Sequence, residues 1–288
     1  MSAFGGKADA FSCSPRCPLM TQSGHLPVGI SSCSRLGPAP CCLPFRVHRR
    51  HWISSVTRRE APKRGCVVPT TRNSGRNLHL YDEFLGSTGP DRLQKIFARY
   101  ELFKLVQDVP GDIVECGVFR GSGVYTWVKL LCLFKPNTEQ RVVAFDFFET
   151  PRDVEFRYAI DKECLEAHAE GWTSQEVLIA NCKAWGFERL KLIAGDVAAT
   201  TREYARSQLG ARIALLYLDL DNYEGTLACL RNLYPLVSPG GVVAFDEYAL
   251  AGYGESDAVD EFFRGQKIRL RSFPWARTPM AFLVKEAA

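Results

Sequence analysis

Acidic side chains follow three of the apolar stretches of this sequence. Asp146 comes directly after Val-Val-Ala-Phe, Asp219 and Asp221 follow Ile-Ala-Leu-Leu-Tyr-Leu, and Asp246 and Glu247 follow a second Val-Val-Ala-Phe. If the last two stretches are neighbouring parallel strands, their four carboxylates converge at one edge of a sheet and repel each other in a partly dry cleft. Mg²⁺ would relieve that repulsion, because it takes carboxylate, water and substrate oxygens as ligands. The sequence therefore predicts a magnesium site, with helix capping by Asp221 or Asn222 as the structural alternative.

A glycine-rich turn follows another apolar stretch, Asp-Ile-Val-Glu-Cys. Its glycines are spaced G-x-x-x-G-x-G, which differs from the G-x-G-x-x-G of dinucleotide sites. Glycine lets the backbone approach a ligand closely, and a helix that follows would point its first N–H groups at that ligand. An acid two residues before the first glycine is typical of S-adenosylmethionine sites. We therefore predict that the turn binds this cofactor through Glu115, Gly117, Arg120, Gly121 and Ser122.

Acids at the ends of other predicted strands complete the predicted cofactor site. Asp146 is placed where a carboxylate can accept hydrogen bonds from both ribose hydroxyls. Asp196 follows the apolar residues 190–194 and is predicted to meet the adenine amino group, and Asp219 is the third candidate. Each acid alone could be a solvated turn residue. The succession of Glu115, Asp146 and Asp196 at three strand ends favours a ligand site.

The elements that must position these residues alternate along the chain from residue 78 onward. Apolar runs predict strands at residues 112–116, 141–145, 190–194, 213–218 and 242–245, followed by an antiparallel pair at 268–273 and 280–285. Amphipathic stretches predict helices at 92–106 (with Asp91 as N-cap), 121–134, 174–185, 200–209, 224–236 and 256–264. Such alternation implies a parallel sheet covered on both faces and doubly wound by right-handed crossovers. We predict an α/β fold with a mostly parallel seven-stranded sheet, order 3-2-1-4-5-7-6, and an antiparallel C-terminal strand.

The first 76 residues differ in composition from the rest of the 288-residue chain. The formal net charge is +4, but the basic excess lies in this segment, whose only acids are Asp9 and Glu60. It is rich in Pro, Ser, Gly and Arg and shows no sustained period, so it cannot bury enough apolar surface to offset its ordering entropy. We predict a disordered or non-functional extension over residues 1–76 and a catalytic domain over 77–288. An organellar transit segment and an over-extended start are the alternative interpretations.

Three stretches together resemble the macrocin-type sugar O-methyltransferase family: PGDIVECGVFRGSG, VVAFDFFE and YLDLDNYEGTLACLRNLYPLVSPGGVVAFDEY. The resemblance covers residues 92–263 and implies a class I S-adenosylmethionine-dependent enzyme that methylates hydroxyls of deoxysugars, nucleotide sugars or glycosylated natural products. Carried over by position, it implies that Asp221, Asp246 and Glu247 are the Mg²⁺ ligands. Glu247 stands where the family usually has an aspartate, and Phe147 stands where it usually has a serine.

Methyl transfer from a sulfonium requires a hydroxyl group that is aligned and loses its proton. Mg²⁺ bound to the hydroxyl would stabilise the alkoxide while a carboxylate takes the proton. Asp219 and Asp221 are the two candidates for this base. Residues 149–171 form a connection too long to be simple, so we predict that they fold over the substrate. His168 lies in that section and is interpreted mainly as a surface residue.

The predicted partner is a small, hydroxylated, sugar-like substrate. We expect no binding to nucleic acid or to a membrane, and the sequence allows a homo-oligomer. No apolar run is long enough to span a bilayer, and we expect a cytoplasmic protein. Two other functions are considered. A catechol-type metal-dependent O-methyltransferase would use the same fold and metal on a planar aromatic diol. A non-catalytic S-adenosylmethionine-binding protein would have no need of the carboxylate cluster.

Overall fold

The computed structural model describes residues 77–149, 154–168 and 171–287. Helices and strands alternate through them, as the apolar pattern predicts. In chain order they are α1 Leu78–Ser87, α2 Pro90–Leu105, β1 Asp112–Cys116, α3 Ser122–Phe134, β2 Val142–Asp146, α4 Ala159–Ala167, α5 Gln175–Ala184, β3 Leu190–Ala194, α6 Val197–Ser207, β4 Ile213–Leu218, α7 Tyr223–Leu233, β5 Val237–Phe245, α8 Glu255–Phe262 and β6 Ala281–Val284. The predicted N-terminal extension, residues 1–76, lies outside the described residues.

Six strands of the described chain form one sheet, in the order β3-β2-β1-β4-β5-β6. The first five run parallel, and β6 pairs antiparallel with β5. The doubly wound, mostly parallel fold is therefore confirmed, but the strand count of seven is wrong. Residues 268–273 contribute only an isolated antiparallel bridge between Arg271 and Phe282. Pro274 follows directly and has no N–H with which to extend that pairing.

Strand β5 begins earlier than the sequence predicts. The Ser-Pro-Gly-Gly segment, predicted as a turn before residue 242, lies inside the strand Val237–Phe245. Ile213 of β4 pairs with Val237, whereas Leu215 pairs with Val242, so the register shifts at this segment. The extra residues are accommodated as an irregularity of the strand, as in a β-bulge.

Helix starts explain several differences from the predicted boundaries. Helix α2 starts at Pro90 with Gly89 as its N-cap, so Asp91 is not the cap. Proline suits the first helical position, because the N–H it lacks has no partner there. Helix α6 starts three residues before its predicted start, since the Asp196 carboxylate accepts a hydrogen bond from Ala198 N. Asn222, rather than Asp221, caps α7 by accepting from Gly225 N at 2.7 Å.

The central strands are buried on both faces, which fixes their ends in space. Every residue of β1, β2 and β4 is buried. One apolar cluster packs α2, α3 and α5 against one face of the sheet, and another packs α6, α7 and α8 against the opposite face. Within the described residues, no helix is both long enough and apolar enough to cross a membrane. This rigid framework carries the loops that follow each strand.

Candidate active site

A cleft of about 710 Å³ opens at the carboxyl edge of the parallel strands, the usual ligand site in a doubly wound fold. We call its two parts the cofactor end and the acid end. The cofactor end consists of Glu115, residues 117–123 and Asp146. The acid end consists of Asp219, Asp221 and Glu247. Residues of α2 and α4 line the cleft as well, and its volume is typical of sites that hold small molecules.

Two glycines at the cofactor end are required by close contacts. Gly117 has a φ of +91°, and a Cβ atom there would overlap the carbonyl oxygen of Asp219. A Cβ atom at Gly123 would overlap the carboxylate of Glu115. Glycine at 117 therefore lets the turn lie against the backbone that follows β4, and glycine at 123 leaves room for the Glu115 carboxylate.

The remaining residues of the turn divide into two groups. Gly121 caps α3 with a φ of +82°, and Ser122 is the first residue of that helix and lines the cleft. Arg120 and Gly121 are not among the lining residues. The guanidinium of Arg120 lies over the ring of Phe119, 5.1 Å from its centroid. The predicted contacts of Arg120 and Gly121 with the cofactor therefore stay predictions.

The carboxylate of Asp146 binds the backbone of the glycine-rich turn. Its Oδ2 accepts hydrogen bonds from Val118 N at 2.5 Å and Phe119 N at 2.9 Å, and its Oδ1 accepts from Phe148 N at 3.0 Å. Burial raises the pKa of Asp146, and these backbone donors counteract part of that increase. A carboxylate has about four acceptor positions, so the ribose contact stays a prediction beside this structural role.

Glu115 lies almost fully buried beneath the turn. Its Oε1 is 3.4 Å from Arg99 Nη2, while its Oε2 has no hydrogen-bond partner among the described residues. Burial raises the pKa of Glu115 to about 8, although Arg99 counteracts part of this. A buried carboxylate oxygen without a partner is costly. It fits the ammonium group of the methionine moiety of S-adenosylmethionine, which would supply the missing donor.

Helix α2 brings two cations to the cleft that the sequence analysis did not identify. Lys95 Nζ lies 2.9 Å from Asp219 Oδ2 and 2.7 Å from Asp246 Oδ2. Arg99, one turn later, lies 3.5 Å from the same Asp219 oxygen. Burial opposes the charge of Lys95, but the two aspartates outweigh it and raise its pKa. The sequence does contain a sign of this. Arg99 precedes Leu102 and Phe103 by three and four residues, and this helical spacing places a basic residue on the buried face of α2.

Asp246, a predicted metal ligand, is held by protein groups in this structure. Its Oδ1 accepts a hydrogen bond from the hydroxyl of Tyr217, and its Oδ2 contacts Lys95. Burial alone would raise the pKa of Asp246, but Lys95 and Arg99, with a hydrogen bond from Glu247, lower it below its ordinary value. Its predicted role as a metal ligand stays a prediction.

The acid end brings together three carboxylates, each offering one oxygen within 4.8 Å of the other two: Asp219, Asp221 and Glu247. Asp221 adopts a φ of +59°, a conformation that aspartate tolerates better than most residues. Burial and the neighbouring Asp219 raise the pKa of Asp221 to about 6. Three hard oxygen donors fit a divalent cation such as Mg²⁺, with Asp219 in the place that the sequence analysis gave to Asp246.

Glu247 has the least compensated charge of the acid end. Its Oε2 lacks a hydrogen-bond partner among the described residues. Burial, together with Asp246 and Asp219, raises its pKa well above the ordinary value. Glu255 of α8, which the sequence analysis missed, is fully buried nearby and accepts from Glu247 N at 2.9 Å. Such buried carboxylates are stable only with a cation or a proton.

Helix α4 forms part of the cleft wall opposite the strand ends. Asp161 anchors it by accepting from Tyr223 N and Gly254 N, each at 2.9 Å. His168 lines the cleft with its Nδ1 atom 3.9 Å from Asp221 Oδ2. The side chain is 41% exposed, which agrees with a surface position, and it faces the cleft as well. Sequence reasoning gave it little weight because it lies outside the strand ends, yet α4 carries it back to them.

Asp196 also lines the cleft, beyond the cofactor end. One of its oxygens is occupied as the cap of α6, where it accepts from Ala198 N at 2.9 Å. The structure therefore places all the predicted acids around one cleft, although their individual partners differ from those predicted. The adenine contact of Asp196 stays a prediction.

Comparison with known families identifies the same part of the chain. The family model described as macrocin-O-methyltransferase (TylF) matches residues 54–272. A curated relative from Streptomyces olivaceus is named 8-demethyl-8-(2,3-dimethoxy-alpha-L-rhamnosyl)-tetracenomycin-C 4'-O-methyltransferase. It is 33% identical over 172 residues, which cover 54% of this chain and 64% of that protein. The curated relatives are thus matched over about three fifths of their own length.

Solved structures extend this similarity. The crystal structure of a calicheamicin methyltransferase superposes with a TM-score of 0.62 at 26% identity, covering 75% of this chain and 88% of that chain. An apo structure described as a TDP-rhamnose 3'-O-methyltransferase of calicheamicin biosynthesis gives a TM-score of 0.54 at 29% identity. It covers 70% of this chain and 86% of that chain.

Proposed function

The chain belongs to the macrocin-O-methyltransferase (TylF) family, and we propose that it transfers a methyl group from S-adenosylmethionine to a hydroxyl group of a deoxysugar. The observation that carries the proposal is the juxtaposition of the cofactor end and the acid end in one cleft. A methyl donor at one end and a deprotonated hydroxyl at the other would meet within it. Methyl transfer needs that alignment of donor and acceptor more than it needs any further chemistry.

Residues of the cofactor end would hold the methyl donor, whose sulfonium supplies an electrophilic methyl group when it is bound. The Glu115 carboxylate would accept from the methionine ammonium, because its Oε2 lacks a partner among the described residues. Backbone N–H groups of the turn stay in place because Asp146 binds two of them. The remaining acceptor positions of the Asp146 carboxylate would accept hydrogen bonds from the ribose hydroxyls. Asp196 would accept a hydrogen bond from the adenine amino group.

Residues of the acid end would bind the acceptor sugar and remove its proton. A Mg²⁺ ion held by Asp219, Asp221 and Glu247 would lower the pKa of a hydroxyl bound to it. Asp221 is the more suitable proton acceptor, because Asp219 already contacts Lys95 and Arg99. The hydroxyl oxygen gains the methyl carbon, the carbon–sulfur bond breaks, and the hydroxyl proton passes to the carboxylate. His168 Nδ1 lies 3.9 Å from Asp221 Oδ2, so the imidazole borders the proposed base.

The substrate class follows from the chemistry of the cleft and from the names of the relatives. The relative from Streptomyces olivaceus is named for a rhamnosyl substrate, and one solved neighbour is named for TDP-rhamnose. Both are 6-deoxyhexoses, one attached to a natural product and one to a nucleotide. The carboxylates of the acid end can accept hydrogen bonds from vicinal sugar hydroxyls. We propose a deoxyhexose in one of these two forms as the acceptor.

The test is transfer of a labelled methyl group to a panel of acceptors by the full chain. TDP-rhamnose, a rhamnosylated aromatic polyketide, the free sugar and a catechol would be compared, each with Mg²⁺ and with excess chelator. We expect methylation of a rhamnose-containing acceptor that depends on Mg²⁺. Methylation of the catechol alone would replace the sugar proposal with a catechol-type activity, and full activity in excess chelator would remove the metal from it.

We also propose that residues 77–288 form the folded catalytic domain and that the enzyme acts in the cytoplasm. Because the family match begins at residue 54, two truncated chains are informative, one starting at residue 54 and one at residue 77. We expect the same melting temperature and cofactor affinity from both as from the full chain. A chain starting at 77 that aggregates while the chain starting at 54 is stable would move the domain boundary upstream.

A further inference from the structure

Helix α4 presents a thiol and an imidazole next to the acid end. Cys164 and His168 are four residues apart, so their side chains lie on the same side of the helix. The Cys164 Sγ and His168 Nδ1 atoms are 3.8 Å apart, and Nδ1 is 3.9 Å from Asp221 Oδ2. The three side chains each offer one ligand atom within 4.8 Å of the other two. Methyl transfer to a hydroxyl makes no use of a thiol at this position.

We propose that Cys164, His168 and Asp221 form a second metal site, for a thiophilic divalent cation of the zinc class. Zinc binds thiolate sulfur at about 2.3 Å and imidazole nitrogen or carboxylate oxygen at about 2.0–2.2 Å, with tetrahedral geometry. These bond lengths place neighbouring ligand atoms roughly 3.3–3.6 Å apart. The two separations that involve His168 Nδ1, 3.8 Å to Cys164 Sγ and 3.9 Å to Asp221 Oδ2, are longer by up to about half an ångström, and all three ligand atoms lie within 4.8 Å of one another. Side-chain rotations would bring them to zinc-binding distance. The fourth position would be taken by water.

Contacts of α4 hold Cys164 and His168 in place. The backbone N–H of His168 donates to Cys164 O at 3.2 Å, which keeps the two residues in helical register. The His168 ring packs edge-on against Phe119, with centroids 5.0 Å apart. Asp161 anchors α4 to the start of α7. The His168 side chain is 41% exposed, so a cation can enter from solvent.

Binding at this site has a consequence for the rest of the cleft, because Asp221 belongs to both metal sets. The zinc-class cation would form a bond to the Cys164 thiolate, and the thiol proton would pass to solvent. It would also take an Asp221 oxygen from the acid end and link α4 to the end of β4. We therefore infer that it opposes Mg²⁺ binding and fixes α4 over the cleft. The two proposals share Asp221, but metal binding at this site can be measured without any methyl-transfer activity.

Co²⁺ is the probe for the test, because tetrahedral thiolate ligation gives a near-ultraviolet charge-transfer band that oxygen ligation does not. The full chain would be titrated with Co²⁺, and Zn²⁺ would then be used to displace it. We expect the band in the unaltered protein and its loss from the Cys164→Ser variant. We expect Co²⁺ affinity through this band to fall at least about tenfold in His168→Asn and in Asp221→Asn, since loss of even an indirect ligand contact typically costs that much.

Two controls separate this site from other cysteines and from the acid end. Cys182→Ala changes a buried free cysteine of α5 and should keep the band. Glu247→Gln removes a ligand of the acid end alone and should also keep it. A band that is absent from the unaltered protein, or that persists in Cys164→Ser, overturns the proposal. A band lost in Cys164→Ser but unchanged in both His168→Asn and Asp221→Asn overturns the three-ligand set.

Discussion

Asp146 and Glu247 occupy equivalent places at the two ends of the cleft, yet their surroundings differ. Asp146 is the last residue of β2 and Glu247 follows β5, and both are nearly fully buried, with 4% and 6% of their surface exposed. Asp146 accepts three backbone hydrogen bonds, from Val118, Phe119 and Phe148. Glu247 has an oxygen without a partner among the described residues and lies close to other carboxylates.

The difference indicates how the chain divides the work of binding. At the cofactor end the protein satisfies Asp146 with its own backbone, so the turn is ordered before any ligand arrives. At the acid end the protein supplies Lys95, which contacts Asp219 and Asp246, whereas among the described residues neither Asp221 nor Glu247 forms an ion pair with a lysine or arginine. A buried negative cluster that the protein compensates only in part is suited to bind a cation. The two ends should therefore respond differently to substitution and to metal.

Asp221→Asn should have the largest effect and should act on one end only. We expect turnover to fall by about 10²–10⁴, the usual contribution of a general base, while affinity for the demethylated cofactor product changes less than about twofold. Methyl-transfer assays and calorimetry would measure the two quantities. Asp82→Asn, a change on exposed α1, is the matched control and should alter neither. Equal losses of turnover and cofactor affinity would contradict the separation of the two ends.

Lys95→Met should have the next largest effect, because it removes the lysine paired with buried Asp246 and leaves Asp219 with Arg99 alone. Removing one partner of a buried ion pair costs about 3 kcal/mol of unfolding free energy. Mg²⁺ should restore part of this loss in denaturation experiments, since it neutralises the same cluster. Lys104→Met is the control on the same helix, because Lys104 pairs with Glu101 at the surface, where ion pairs contribute little. A loss no larger than that of the control would mean that the acid end is stable without Lys95.

The strands of this fold could be predicted from the sequence because their signal is local. The bounds of β1, β3 and β4 agree with the prediction, since each is a short apolar run between polar residues or glycine. The Ser-Pro-Gly-Gly segment was misread because its composition favours a turn. Tertiary pairing with β4 instead holds it inside β5. The seventh strand, predicted at residues 268–273, was wrong for a similar reason. An apolar run does not show whether another strand lies close enough to pair with it.

The site was predictable in position but not in its pairings. Strand ends located Asp146, Asp219, Asp221 and Glu247 at one edge, because parallel strands end together. The contact of Lys95 with Asp246 joins residues far apart in sequence, across α2 and β5, and no local pattern encodes it. For the same reason, the sequence led us to expect that a bound metal, and not a lysine of the chain, relieves the repulsion among these acids. The structure shows that a lysine of the chain contacts two of them.

Asp146→Ala should weaken the cofactor end without affecting metal binding. It removes the acceptor of three backbone N–H groups and the proposed ribose contact, so we expect affinity for the demethylated cofactor product to fall at least about tenfold. Calorimetry would measure this, with Mg²⁺ affinity as the second readout. Asp112→Ala is the control, because Asp112 pairs with Arg141 at the other end of β1 and β2. Unchanged affinity in a folded Asp146→Ala protein would remove the ribose assignment.

Glu247→Gln should have the smallest effect, and its sign should depend on metal. Glu247 has a pKa raised above its unfolded value, so the folded state binds a proton more tightly than the unfolded state. Stability of the metal-free protein should therefore fall as pH rises from about 5 toward the folded pKa. Glu115 and Asp221, with pKa values raised to about 8 and about 6, act in the same direction. Asp246, whose pKa is lowered, loses its stabilising contribution only below its ordinary value, outside this window.

Thermal melts between pH 5 and pH 8 in chelator would measure this dependence. At pH 8 we expect Glu247→Gln to melt a few degrees higher than the unaltered protein, as a change of about 1 kcal/mol produces in a domain of this size. Its decline with pH should be shallower but not absent, since Glu115 and Asp221 still titrate. With Mg²⁺ the order should reverse, because the unaltered protein gains a ligand contact that the variant lacks. Glu163→Gln, an exposed change on α4, controls for the loss of one negative charge.

If Glu247→Gln instead melts lower than the unaltered protein in chelator, the unpaired Oε2 of Glu247 does not destabilise the folded protein. The contrast between Glu247 and Asp146 would then be one of geometry rather than of energy.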